Sequence, residues 1–326
     1  MPTRRTFLIS GAMTGAALLA GGPAAAAAVP RADRFDCAAP GARLLGGVPL
    51  HNATVMQSFA FDDANGCLYV VQLVAGGLQL PGEPEPVSGA VRAKDGDLCL
   101  TRLDRTGRET GHMYLLGFGH GVQIGAEPQG RGTFLWTEVD SVTDDDISGW
   151  GSRLCRFPFV DGSILTRDSP GLVRHVPVPG ADRTTCGTDP VNRRLVMRHR
   201  VDGAFRYALY DLNDVRHHRY RPLAEVAQPE LAYSFQGYAT YGSYLYLLEG
   251  TSGAAPGNTH LTCVDWRTGA VVDRQFVSDG AEVEFREPEG MAIQVAGPKE
   301  VRLCFGFASG VTGDRRANVY YKDALV

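Results

Sequence analysis

The feature that most restricts this chain is a repeat. Strand-like runs recur at 68–72, 134–138, 195–198, 244–249 and 301–305, with starts roughly 50–66 residues apart, within the spacing of propeller blades. Each is preceded by a shorter run with one shared pattern: a polar residue or Cys, then Ser or Gly, then alternation. The five pairs are Gln57-Ser58, His120-Gly121, Cys186-Gly187, Gln236-Gly237 and Glu289-Gly290. A third run follows each pair, often ending at an Asp, as at 98–104 before Arg105-Thr106-Gly107 and at 261–266 before Arg267-Thr268-Gly269. A fourth run leads into the next repeat, as at 112–116. Apolar spacing at a 3.6-residue period is almost absent. The 40 glycines among 326 residues exceed the ~7% average and suit many tight turns.

Four antiparallel strands repeated five times predict an all-β fold, a five-bladed β-propeller of four-stranded antiparallel blades. A β-sandwich is the competing all-β fold, but it gives no reason for five aligned polar-Ser/Gly pairs. The last repeat ends on its third strand, at 318–322. Its fourth strand is therefore expected from the N-terminal segment 34–45, which would close the ring.

The first residues read Thr3-Arg4-Arg5-Thr6-Phe7-Leu8-Ile9, followed by a small and apolar run to Ala28. This is the pattern of a twin-arginine export signal with a small-residue cleavage site. An uncleaved anchor is the alternative, but the apolar stretch is weak and shorter than the ~20 residues a span requires. The expected organisation is signal peptide 1–28, short linker 29–33 and propeller 34–326, with the protein exported folded and secreted. Cleavage removes two arginines and no acid, taking the formal charge from −4 to −6. Without a basic excess, phosphate-tracking nucleic-acid binding is not expected. Nor is membrane association after cleavage, and a monomer is expected. Seven cysteines, an odd number with no CxxC spacing, argue against a zinc site. They read as buried small hydrophobes, with one or two disulfides left open.

In a propeller the first strand of each blade lines the central channel. A small residue lets the strands approach the axis, and the residue before it sits near the channel mouth. That ring is Gln57, His120, Cys186, Gln236 and Glu289. The loops entering these strands bring His51, Arg183, Tyr233 and Arg286 toward the same mouth, where we place the ligand site. A second ring comes from the ends of the second strands: Gln72, Glu138, Arg198 and Glu249. Alternating chain direction points to the opposite face for it, unless the blades are short. Each of these side chains also has a structural reading, as a backbone tie, an ion pair or a solvated acid. Asp144-Asp145-Asp146 reads as a solvated loop, and His217-His218 as a surface turn. No GxSxG, HExxH, P-loop or dinucleotide fingerprint occurs. No cofactor is predicted, and a metal ion in the channel stays open.

Three segments carry a family resemblance: 49–62 with Gln57-Ser58-Phe59, 117–125 with Gly119-His120-Gly121, and 288–292 with Glu289-Gly290. They resemble the propeller domain shared by teichoic acid biosynthesis protein C and the receptor-binding proteins of some staphylococcal phages. The resemblance covers about residues 34–326. It implies a five-bladed propeller and a role around wall teichoic acid or related surface glycopolymers, but fold likeness does not transfer activity. Two functions follow as expectations. One is a secreted module recognising teichoic-acid-like or anionic polysaccharide, with His51, Gln57, Arg183, Tyr233, Gln236 and Arg286 as binding residues. The other is an enzyme on such a polymer. As a polysaccharide lyase it would use His120 as base, Tyr238 as acid and Arg183 or Arg286 to neutralise a carboxylate. As a glycoside hydrolase it would pair Glu289 with Glu287, Glu138 or Glu249. A protein-interaction scaffold ranks last, because no exposed apolar patch is evident.

Overall fold

The computed structural model describes residues 29–253 and 256–326. The expected signal segment 1–28 lies outside the described residues. The chain opens with strand β1 (Ala42–Pro49). Blade one follows as β2 (Met56–Asp62), β3 (Cys67–Leu73), β4 (Leu98–Asp104) and β5 (Glu109–Leu116). A short helix, α1 (Gly89–Asp95), is inserted before β4. Next come β6 (Gly125–Gln129), β7 (Gly132–Val142), β8 (Trp150–Pro158), β9 (Ile164–Thr166) and β10 (Val173–His175). Blade three is β11 (Asp182–Asp189), β12 (Arg194–Val201), β13 (Ala204–Asp211) and β14 (Ala224–Ala227), with helix α2 (Leu212–Arg216) before its last strand. Blade four is β15 (Phe235–Tyr241), β16 (Tyr244–Glu249), β17 (His260–Asp265) and β18 (Val271–Phe276). The chain ends with β19 (Glu287–Gly297), β20 (Glu300–Val311) and β21 (Asp314–Lys322).

These strands form five sheets, and the strand order makes each sheet a blade. Blade two is β6-β7-β8-β10, and β9 leaves it to pair in parallel with β5 at the edge of blade one. Blade five is β19-β20-β21-β1, so the N-terminal strand supplies its outermost strand and closes the ring, as the repeat arithmetic required. Residues 29–33, expected to be a linker, lie against blade four. Val29 is buried, and the Ala32 N–H donates to Ser243 Oγ.

The core is divided among the blade interfaces. Middle strands are apolar on both faces, as in Leu68-Tyr69-Val70-Val71 and Tyr244-Leu245-Tyr246-Leu247-Leu248. One face packs on the preceding blade and the other on the next. Tyr69 and Val71 meet Leu135 and Phe157 between blades one and two. Trp136 and Leu154 meet Leu195 and Met197 between blades two and three. Tyr207 meets Leu245 and Trp266, Tyr246 meets Phe305 and Phe307, and Val319 meets Phe59 and Val70 across the closing interface. Each such side chain contributes about 1.5–3 kcal/mol when fully buried, so a blade is stable only between its neighbours. All seven cysteines are free and six are buried; five of these lie in the interface clusters, and Cys99 packs with Val74, Leu80 and Tyr114 on the outer side of blade one.

At the axis the Ser/Gly positions do what their size suggested. A Cβ on Gly290 would lie 2.5 Å from the Ser58 Cα, and one on Gly237 would lie 2.9 Å from the Gly290 Cα. Ser58 Oγ donates to the Gly121 carbonyl at 2.6 Å. Sequence reasoning missed Gln123, which is buried and crosses between blades. Its amide donates to the Met291 carbonyl at 2.8 Å and accepts from the Tyr238 N–H. A Cβ on Gly187 would collide with it. Gln123 thereby ties blades two, four and five together across the axis.

Candidate functional site

Four of the five ring residues meet at one cavity of about 700 Å³. Gln57, His120, Gln236 and Glu289 line it, from blades one, two, four and five. Trp150, Phe235, Glu287 and Arg315 complete the chemically distinct part of the wall.

The register explains why these side chains converge. In β2 the ladder skips from Met56 to Ser58, leaving Gln57 as a bulge. In β15 it skips from Phe235 to Gly237, leaving Gln236. In β19 it skips from Pro288 to Met291, leaving Glu289 and Gly290. A bulge re-aims the side chain it releases, here into the mouth. Blade two goes further. The run 120–124, expected to be its first strand, is outside the ladder, and β6 begins only at Gly125. Blade three behaves differently. Cys186 pairs regularly with Met197, so its thiol turns into the core and does not line the cavity.

The second ring is corrected by the same pairing. In an antiparallel hairpin the end of strand two lies beside the start of strand one, so both rings belong to one mouth. These residues hold the entry loops. Gln72 donates to the carbonyls of Asn52 and Thr54. Glu138 accepts from the backbone N–H of His120 and Gly121 through Oε1, and from Gly151 through Oε2 at 2.6 Å. Glu249 accepts from Ala232 and Tyr233 N–H and is paired with Arg274. Arg198 donates to Gln228 and lies over Phe205 and Phe235. Glu138 and Glu249 are committed to backbone donors and stand outside the cavity lining, unlike Glu287 and Glu289.

The entry-loop residues separate. Arg183 lies behind the wall, with its guanidinium 4.8 Å from the Trp150 ring and paired with Asp144 at 2.6 Å. Trp150 in turn stacks on His120 at 4.4 Å. The acidic run anchors this stack: Asp144 pairs with Arg183 and Arg200, Asp145 accepts from the Ile147 and Ser148 N–H groups, and Asp146 pairs with Lys94. Arg286 turns inward because four acceptors await it. Its guanidinium donates to the carbonyls of Val277, Asp279 and Gly280 and to Thr259 Oγ1. Tyr233 is exposed and stacks on His260, outside the cavity. Tyr238 is fully buried, its hydroxyl bonded to Thr185 and to the Arg198 N–H, and burial raises its pKa well above the phenol range. His51 lies against the outer strands of blade one, bonded to Thr101 and Glu109. The lyase set of His120, Tyr238 and Arg183 or Arg286 is therefore not assembled around one space.

Several polar groups of the wall are uncommitted among the described residues. His120 Nδ1 and Trp150 Nε1 are buried without a partner. The Gln57 amide makes no side-chain bond. Glu289 is 6% exposed, and only burial and the neighbouring Glu287 act on its carboxyl, both raising its pKa well above the usual range. Burial also raises Glu287, against the pull of Arg315. Burial lowers His120 to about 4, helped by Arg183. The wall therefore presents a neutral imidazole beside an aromatic plane, with a carboxyl that its surroundings push toward the protonated form. Buried polar atoms lacking partners cost free energy in the empty protein, so this wall suits a ligand rich in hydroxyls or amides.

The phage five-bladed β-propeller receptor-binding platform domain matches residues 55–321. The chain belongs to this family. The putative major teichoic acid biosynthesis protein C of Bacillus subtilis is 27% identical over 279 residues, covering 82% of this chain and 59% of that protein. The tail fibre of Staphylococcus aureus phage P68 superposes with a TM-score of 0.66 at 21% identity, over 87% of this chain and 52% of the fibre. The chain thus spans little more than half the length of these relatives. Likeness to the fibre shows the shared fold alone. Among the described residues, no helix is long and apolar enough to cross a membrane.

Proposed function

We propose that this propeller recognises a cell-surface glycopolymer of the teichoic-acid class, and that it does so as an exported monomer through the cavity at the channel mouth. The observation that carries this reading is the cavity wall, where Gln57, His120, Trp150 and Glu289 offer uncommitted polar atoms around an aromatic face. Sugar and polyol ligands combine apolar C–H faces with hydroxyl donors and acceptors, and such a wall meets both. Membership of a receptor-binding platform family and the teichoic-acid-related name of the Bacillus relative support the polymer class.

Glu287 and Glu289 favour a second reading, glycoside hydrolysis. A carboxyl with a raised pKa beside a second carboxyl in one cavity is the arrangement a general acid and its partner require. One experiment separates the two. The purified chain is titrated with wall teichoic acid and with a neutral glycan, and the supernatant is assayed for new reducing ends. Saturable binding to teichoic acid without products supports recognition. Trp150→Ala and Gln57→Ala should each weaken it by at least about tenfold, or ~1.4 kcal/mol. Products lost in Glu289→Gln would establish hydrolysis. Binding unaffected by both cavity variants would sink the assignment of the site.

A further inference from the structure

His51 was expected at the mouth. It lies instead on the rim of blade one, in a cluster the proposed function does not use. Its Nδ1 is 2.9 Å from Glu109 Oε1, and His112 Nδ1 is 3.6 Å from the same oxygen. The two imidazoles stack at 3.4 Å between centroids with 11° between planes. One donor atom from each of the three residues lies within 4.8 Å of the other two.

The backbone builds this cluster. Glu109 and His112 are three residues apart on β5, and in a regular strand they would face opposite sides. The ladder between β4 and β5 shifts here: Arg102 pairs with Gly111 while Leu103 pairs with Glu109, leaving Thr110 as a bulge. That extra residue turns Glu109 and His112 to one face. His112 pairs with Thr101 across the ladder, and Thr101 Oγ1 accepts the His51 N–H. The same threonine therefore sets His51 directly beside His112. The Asp161 carboxylate accepts the His112 N–H and fixes that backbone. Tyr114 packs edge-on against both rings.

We propose that His51, Glu109 and His112 form a binding site for a late first-row divalent cation such as zinc, which clips the connection leaving β1 to the outer strand of blade one. Two imidazole nitrogens and a carboxylate oxygen are the donor types such ions prefer, and water completes the sphere. Metal bonds of about 2.0–2.2 Å place donors roughly 3.0–3.6 Å apart, close to the 2.9 and 3.6 Å that already separate the two imidazoles from the Glu109 carboxylate. His51 follows β1 by two residues, so the ion would fasten the ring-closing strand to the blade it enters. The site is remote in sequence, with His51 and Glu109 58 positions apart, and has no motif to announce it. It stands independently of glycopolymer binding.

The test is a zinc titration of the full chain, free of any added histidine tag, followed by calorimetry and by thermal unfolding. One zinc per chain is expected, with a midpoint that rises by a few degrees as zinc increases. His51→Ala and His112→Ala should each weaken zinc binding at least about tenfold. His217→Ala, at the other exposed histidine pair, should leave it unchanged. Should an alanine variant fail to fold, His51→Gln and His112→Gln decide in its place. Absence of saturable binding, or binding that survives loss of both histidines, would overturn the proposal.

Discussion

Glu289 is a carboxyl held in the wrong medium for its charge. Burial and Glu287 both raise its pKa well above 4.5, and no hydrogen bond to a described residue opposes them. The sign of the stability effect follows. Between the unfolded pKa and the raised folded one, the folded state holds the extra proton, so stability falls as pH rises through that window. Glu289→Gln removes the ionisation and keeps the shape. It should raise the thermal midpoint at pH 8 relative to the parent, with the difference shrinking as pH falls toward about 3, below the unfolded pKa, where both states are protonated. A midpoint difference independent of pH would remove Glu289 as the buried acid. The ring of polar residues was legible because each precedes a small residue that the axis requires. The direction of their neighbours was not. Gln57, Gln236 and Glu289 reach the cavity through bulges, and bulges leave no fixed residue signature. Cys186 keeps the pattern in a regular ladder and turns away. The entry loop points Arg286 to the mouth and lyase chemistry points to Tyr238 as an acid, but buried partners have a stronger claim on both side chains. Trp150 went unread, although a lone Trp between Gly149 and Gly151 was the available signal of an aromatic wall.

At the scale of the hairpin, the end of strand two acts as a clamp on the loop entering strand one. Gln72, Glu138 and Glu249 repeat the device in three blades with different chemistry. Glu138 is the most demanding case, because both of its oxygens accept backbone N–H groups. Burial raises its pKa to about 7 even so, with the donors of Gly151, Gly121 and His120 working against the rise. Glu138→Gln replaces one acceptor with an NH2 that faces an N–H donor. It should cost about 1–3 kcal/mol, the range for a buried polar group left without its partner. It should also loosen the His120–Trp150 stack that the loop carries, weakening the proposed polymer binding along with stability. Urea unfolding and a binding titration on the same variant check both. Unchanged stability would mean that the clamp contributes nothing. The sequence shows these residues as polar strand ends and leaves their face open between the two ends of the channel; the antiparallel pairing of Gln72 with Met56 and of Glu249 with Phe235 sets them at the mouth.

At the scale of the molecule, five interfaces hold five blades, and the interface between the last and the first is the one the chain must make between distant ends. The N-terminal segment does more there than add a strand. Val29 packs between blades three and four, with Tyr207 and Leu247. The Phe35 N–H donates to the buried Tyr246 hydroxyl at 2.8 Å, and its ring packs among residues of blades four and five. Arg34 pairs with Asp273 on β18. Only then does β1 join β21. The segment thus crosses three blades before it seals the ring, and its removal would leave β21 as an open edge able to pair with other chains. Deleting residues 29–49 should therefore abolish the single cooperative transition and promote aggregation. Phe35→Ala separates the packing of the segment from the pairing of the strand. It should cost about 3–5 kcal/mol, as for other buried phenylalanines, without promoting aggregation. Thermal unfolding with light scattering reads both variants. If the deletion unfolded cooperatively at the parent midpoint, closure would have to reside in the packing between blades one and five, at Phe59, Val70 and Val319, and the N-terminal strand would be a covering and not a lock.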